Sequence, residues 1–450
     1  MPSDAVFDTG LLSPATAGHD LLVSDRVFLD ALVAAEVGLV GAYADIGLAP
    51  DETARAVGRE FEADRGVRTS EGIDPQALAD AAVAGGNPVI PLIALMRQRV
   101  GDDARAWVHR GATSQDIWDS AIMMVSTAAV EQVVASLRHT VAWLLQLAEA
   151  NSGEVVAART LTQHAVPTTA GLRATGWARA LHRAADRLGA LELPAQLAGA
   201  GGTLASFVEI TGSDEAARDL VAAYAKRLGL PSPDAPWHVT RWPVTELGDA
   251  LVQTLDAVGK LAADVLTLSR SEIAEVTVGA GGGSSSMPQK QNPTEAVLMR
   301  SAAIRAPQLG ATLHLAAALA VDERPDGAWH AEWPTLRELL RLALGASWHA
   351  SSLAAHLRVH DEAARRNLAA SGGLIVAERL SLILGPAALD SVLAEIADGG
   401  DLADAVRRSA RASGLDVDVD DLIDPARYTG SAAALVAAAV RDLRAGEASP

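Results

Sequence analysis

Five stretches of this 450-residue chain, 116 to 150, 168 to 193, 244 to 278, 294 to 306 and 335 to 357, lack proline and are rich in Ala, Leu, Val, Glu and Arg. All read as helices, because these residues lose little conformational freedom in a helix. In the first, Trp118, Ile122, Val125, Ala129, Val133 and Leu137 recur at steps of three and four, which puts them on one face. The stretch 244 to 278 would be on the order of 50 Å long if wholly helical, so a long bundle is expected. Strand signals are scarce. The expected fold class is therefore all-α, and the alanine-rich faces permit close association between subunits as well as between helices.

The first hundred residues differ, with shorter helical segments punctuated by Gly47-Leu48-Ala49-Pro50, Asp74-Pro75 and Gly85-Gly86-Asn87-Pro88. After about residue 357 the helices shorten again, and Gly372-Gly373, Gly399-Gly400 and Pro425 mark turns. Three helical domains are expected: 1–110, a central long-helix bundle over 111–357, and 358–450. No solenoid repeat and no nucleotide-binding glycine fingerprint is present.

The chain contains no cysteine, which excludes disulfides, thiolate metal sites and cysteine nucleophiles and makes the cytoplasm the simplest compartment. Asp4 and Asp8 stand where a secretory signal would be basic, and no apolar run is expected to reach the length of a membrane span. A formal charge of −19 argues against nucleic acid or an anionic membrane as partner. An anionic ligand would need a local cluster of cations.

Three separated segments cluster polar groups. The run from Gly281 to Pro293, Gly-Gly-Gly-Ser-Ser-Ser-Met-Pro-Gln-Lys-Gln-Asn-Pro, places hydroxyls, a cation and an amide behind a glycine hinge, a composition that can close over an anion. A Gly/Ser linker would explain the first half of the run but not the prolines and lone lysine of the second. His109-Arg110-Gly111-Ala112-Thr113-Ser114-Gln115-Asp116 leads into a long helix that Thr113 or Ser114 can cap; the helix N-terminus favours an anion, although a plain cap would read the same. Arg159, Thr160, Gln163 and His164, polar before the next helix, suit carboxylate recognition, although His164 alone would read as structural.

Together these segments resemble the fumarase/aspartase superfamily. The loop matches its signature Gly-Ser-Ser-x-Met-Pro-x-Lys-x-Asn-Pro without a gap. The segments around Thr113-Ser114-Gln115-Asp116 and Arg159-Thr160 fit its other two blocks. Gln163-His164-Ala165-x-Pro167, Trp329-His330-Ala331-Glu332-Trp333, Asn87, Pro91 and Trp237-His238 look like the bacterial 3-carboxy-cis,cis-muconate cycloisomerase branch. The chain departs from that branch at Trp242-Pro243 after Arg241, and at Pro325 after Asp322-Glu323-Arg324.

The resemblance implies a homotetramer with shared active sites and a small polyanionic carboxylate substrate, with no metal or organic cofactor. It makes Ser284 the catalytic base, with Lys290 and His164 beside it. Thr113, Ser114, Arg159, Thr160, Gln163, Asn292 and Arg324 become substrate contacts, and Ser285 and Met287 shape the loop. Many superfamily members carry Thr-His in the second segment and a glutamate seven residues after the loop lysine; here those positions are Leu161 and Val297. A hydroxide or amine leaving group needs a proton, whereas a carboxylate, whose conjugate acid has a pKa of about 4, does not. Losing both members of that pair points to a weakly basic leaving group. Lactonisation of 3-carboxy-cis,cis-muconate is the expected reaction; the alternatives are nitrite elimination from nitrosuccinate, adenylosuccinate cleavage, and an inactive helical scaffold.

Overall fold

The computed structural model describes residues 10–61, 70–279, 282–283, 286–287 and 290–447. Helices dominate it, in accord with the all-α expectation, with four short strands among the described residues. The long helices are Ser114–Ala150, Ala170–Gly189, Trp242–Leu268, Thr294–Ala318 and Gly327–His356. Three of them differ from expectation in extent, the fifth by starting at Gly327 and running through Pro334. The third ends at Leu268, about 40 Å from its start, and the chain then turns through Ala274, at φ 50°, so that Glu275 and the strand Val276–Thr277 leave the helix axis. The fourth continues through Pro307, which removes one backbone donor without ending a helix whose inner side, Ala302, Ala306 and Leu313, is fully buried.

The chain groups into two compact units. One comprises Met1–Ala135, Asp186–Leu255 and Ala302–Ala346; the other comprises Ser136–Ala185, Asp256–Ser301 and Ser347–Pro450. This grouping follows contacts rather than chain order and so cuts across the three contiguous segments expected from the sequence.

In the first unit, helix Asp25–Asp45 buries Leu32, Val33, Leu39, Val40 and Tyr43. It packs against helix Asp214–Leu228 at glycine distance: a Cβ on Gly38 would stand 2.7 Å from Leu228 Cδ2. Contrary to the expectation of no apolar run long enough, Asp25–Asp45 and Ser114–Ala150 both have the length and composition to cross a membrane. In the fold 72% and 61% of their apolar windows are covered by protein, as expected of core helices.

In the second unit, strands Val155–Thr160 and Gln163–Thr169 form an antiparallel hairpin, where the sequence suggested only a polar approach to a helix. The turn is two residues, Leu161 and Thr162, both at positive φ (48° and 72°). Such turns normally carry Asn-Gly, so the usual hairpin signal is missing. Density of β-branched residues was the signal available: Val155, Val156, Thr160, Thr162, Val166, Thr168 and Thr169. The C-terminal helices form their own core, Leu368, Ile375, Val376, Leu380, Val406 and Leu422, closed by Ala157 and Val155 of the hairpin.

Candidate active site

The first polar segment is built around a carboxylate. Asp116, in the opening turn of helix Ser114–Ala150, is fully buried and accepts from the backbone N–H of Thr113 (2.9 Å), Ala198 (2.9 Å) and Gly199 (3.0 Å) and from His238 Nε2 (2.8 Å). Thr113 O accepts from Asp116 N in return, a reciprocal cap that satisfies helix-end donors. Thr113 and Ser114 are thereby held half-buried at a helix N-terminus, and the glycine-rich run 198–203 is tied beside them. Helix Asp25–Asp45 supports the preceding turn: Glu36 Oε1 meets His109 Nδ1 at 2.6 Å, and Tyr43 donates to Arg110 O at 2.8 Å.

One helical turn further, Asp119 is fully buried against Arg241, which forks to Asp119 (2.6 and 3.1 Å) and to Glu332 (2.7 to 3.2 Å). Arg241 sits at φ 39°, a strained conformation for a side-chain-bearing residue that these ion pairs hold in place. Its carbonyl accepts from Val244 and Thr245, so the departure Trp242-Pro243 forms the start of helix Trp242–Leu268, where proline is well tolerated. One guanidinium faces two carboxylates. Burial pushes the Glu332 carboxyl above the usual range, against the pull of Arg241. Arg324 donates to Gln115 Oε1 (2.8 Å) and to Ala200 O (2.7 Å) and remains half-buried. Asn87 caps helix Val89–Arg99 through Val89 N (3.1 Å), and His330 Nε2 approaches Gly86 O at 2.9 Å.

In the second unit, Arg159 pairs across the hairpin with His164, and Thr160 with Gln163. Thr160, Gln163 and His164 are exposed, whereas the Arg159 guanidinium is committed to Glu275 by a two-point ion pair (2.6 and 3.1 Å). Arg173 and Asn367 also reach that carboxylate, at 3.3 and 2.8 Å. Burial works to raise the Glu275 carboxyl, but the hydrogen bonds from Arg159 and Asn367 and the two positive charges outweigh it and hold it below its usual value. The guanidinium of Arg159, expected to touch substrate, thus braces the hairpin against Glu275. A pocket of about 330 Å³ beside it is lined by Arg159, Thr168, Arg173, Lys260 and Asp264.

The signature loop is closed at its neck by Gly282 and Asn292, which exchange both backbone hydrogen bonds (3.1 and 3.2 Å). Lys290 is exposed and turns back through its N–H to Met287 O at 3.0 Å. Ser284 and Ser285 lie outside the described residues. Below the neck is a pocket of about 210 Å³ lined by Thr294, Glu295, Ser352 and His356. Leu161 is 96% exposed at the hairpin tip and Val297 is 50% exposed on helix Thr294–Ala318. Among the described residues, no group of three or more His, Asp or Glu converges as a metal site would.

Asp119, Glu275 and Gln115 were not singled out by sequence reasoning. Asp116 and Ser120 carried no burial signal, since they lie across the helix from the stripe that Trp118, Ile122 and Val125 mark as buried, and Asp119 stands only at the edge of that stripe. Glu275 had none, being a lone acid in Ile273-Ala274-Glu275-Val276.

This fold and these three segments define an enzyme of the lyase superfamily. Residues 83–307 match the lyase family, and the chain belongs to it, within the fumarase/aspartase superfamily. The chain is 42% identical to the nitrosuccinate lyase of Streptomyces davaonensis, over 97% of this chain and 95% of the relative. It is 37% identical to the 3-carboxy-cis,cis-muconate cycloisomerase of Pseudomonas aeruginosa, over 98% and 97%. The crystal structure of the 3-carboxy-cis,cis-muconate lactonizing enzyme from Pseudomonas putida superposes with a TM-score of 0.88 at 31% identity, covering 98% of this chain and all of that one.

Proposed function

We propose that the enzyme expels a weakly basic anion from a small polycarboxylate, and that nitrosuccinate is its substrate. The observation that carries this reading is the joint replacement of the histidine and glutamate of the superfamily by Leu161 and Val297, which leaves no proton donor for a basic leaving group at either position. The ranking of nitrosuccinate above 3-carboxy-cis,cis-muconate rests on the higher identity to the nitrosuccinate lyase, 42% against 37%, at similar coverage. Lactonisation of the muconate is the second reading, favoured by the structural likeness to a lactonizing enzyme. Its reverse also releases a carboxylate without protonation.

Ser284 takes the proton from the carbon next to the unsubstituted carboxylate. The C–H electron pair forms the new double bond, the C–N bond breaks with its pair to nitrite, and fumarate results. A serine acts as base only if its hydroxyl acidity is raised, which loop closure, nearby N–H donors and Lys290 would do. Lys290 and Asn292 stabilise the negative charge that develops on the substrate. Thr113 and Ser114 at a helix N-terminus, with Gln163, His164 and Arg324, hold the carboxylates, and Thr160 lines the hairpin end of the site. Different subunits of a homotetramer contribute the three segments.

The test is to offer the purified enzyme nitrosuccinate and 3-carboxy-cis,cis-muconate separately. Stoichiometric nitrite and fumarate from the first supports the primary reading. Loss of conjugated-diene absorbance with the second alone would transfer the assignment to lactonisation, and neither would refute both.

A further inference from the structure

We propose that Gln115 is a positioning residue that fixes the guanidinium of Arg324, and thereby sets how tightly the site holds a substrate carboxylate. The inference rests on the reading of Arg324 as a carboxylate contact in the proposed reaction. Gln115 is fully buried, and its hydrogen bonds all point one way round. Its Nε2 donates to His238 O (2.8 Å) and Asp119 Oδ2 (3.1 Å), two groups that only accept. The amide therefore cannot flip, and Oε1 must receive Arg324 Nη1, at 2.8 Å.

Asp119 is fixed in turn by the fork of Arg241 and by Trp329 Nε1 at 3.1 Å. A rigid polar line thus runs Arg241, Asp119, Gln115, Arg324, each member oriented by the one before. Ala200 O holds Arg324 Nη2 at 2.7 Å and completes a two-point grip. Further N–H donors of the half-buried guanidinium remain for a ligand. An arginine ordered before substrate arrives does not lose its rotamer freedom on binding, so the grip should appear as affinity. Gln115 itself has no spare donor in this arrangement and acts only through Arg324.

A double-mutant cycle separates this role from simple structural support. Gln115→Met, Arg324→Met and the double variant would be compared by calorimetric affinity for fumarate, by KM and kcat, and by thermal unfolding. Gln115→Met should weaken fumarate binding and raise KM by roughly five- to tenfold, with kcat nearly unchanged, and should add nothing in the Arg324→Met background. Gln115→Asn, which keeps a buried amide one methylene shorter, should show the same pattern and serves if the Met variant does not fold. Independent, additive losses would overturn the proposal, as would a fall in kcat at constant KM. If the unaltered enzyme turned over neither candidate substrate, the reaction assignment would fail while the fumarate cycle still decided Gln115. An Arg324→Met variant with undiminished affinity, or no fumarate binding by the unaltered enzyme, would overturn it together with the reading of Arg324.

Discussion

Glu275 answers two arginines with one carboxylate, and its loss should be felt through both. Glu275→Gln leaves Arg159 and Arg173 without a counter-charge and should lower stability by about 3 kcal/mol in denaturant unfolding. Because the folded-state pKa is depressed, this stabilisation is complete above the usual carboxylate range and is lost as pH falls through the folded value. Wild type should therefore lose thermal stability on acidification more steeply than Glu275→Gln; parallel acid limbs would contradict this. The tip residues offer the opposite test. Leu161 and Thr162 occupy the left-handed region that Asn and Gly adopt at little cost. Leu161→Asn with Thr162→Gly should raise stability by about 1 kcal/mol, read by the same unfolding assay. A fall in activity alongside that gain would place the strained tip in function.

At the scale of elements, the neck of the signature loop depends on one glycine. A Cβ on Gly282 would overlap Thr294 Oγ1, so Gly282→Ala must spread the pairing with Asn292 or shift the start of helix Thr294–Ala318. The expected result is a kcat reduced about tenfold or more with little change in melting temperature, because a misplaced catalytic group is costly while few core contacts are lost. An unchanged kcat would remove the neck from the account. The long helices were legible because apolar period and proline punctuation agree over many turns. Ala170–Gly189 and Ser114–Ala150 lie within a few residues of where the sequence places them. The hairpin was not legible, since its turn lacks Asn-Gly and its β-branched residues do not alternate cleanly between buried and exposed positions. The early end at Leu268 was hidden for a related reason: the demand on Glu275 comes from Arg159, 116 residues away.

At the scale of the whole molecule, the proposal of a homotetramer draws on helix Thr294–Ala318. Ile304, Ala311 and Leu315 follow one another at steps of seven and four residues, and Ile304 and Leu315 are 68% and 60% exposed. Such a row on a long helix suits a helix of another subunit. Leu315→Glu should shift light-scattering mass toward smaller species and reduce activity in parallel, because sites shared between subunits would be dismantled. Full activity in a confirmed monomer would contradict shared sites. The site was legible in sequence as three motifs because its chemistry is concentrated in short runs. Its supports were not, because Asp119, Arg241 and Glu332 meet only through the fold.

The central claim, that the leaving group departs as an unprotonated anion, is tested most directly by two four-carbon dicarboxylates differing only in that group: nitrosuccinate and malate. With the same carbon acid and the same carboxylates throughout, fumarate release reports the leaving group alone. Rapid fumarate and nitrite are expected from nitrosuccinate and no measurable fumarate from malate, with Ser284→Ala lowering the first rate by about 10²–10⁴-fold. Comparable fumarate release from malate would contradict it, because hydroxide cannot leave readily without the proton donor that Leu161 and Val297 do not supply.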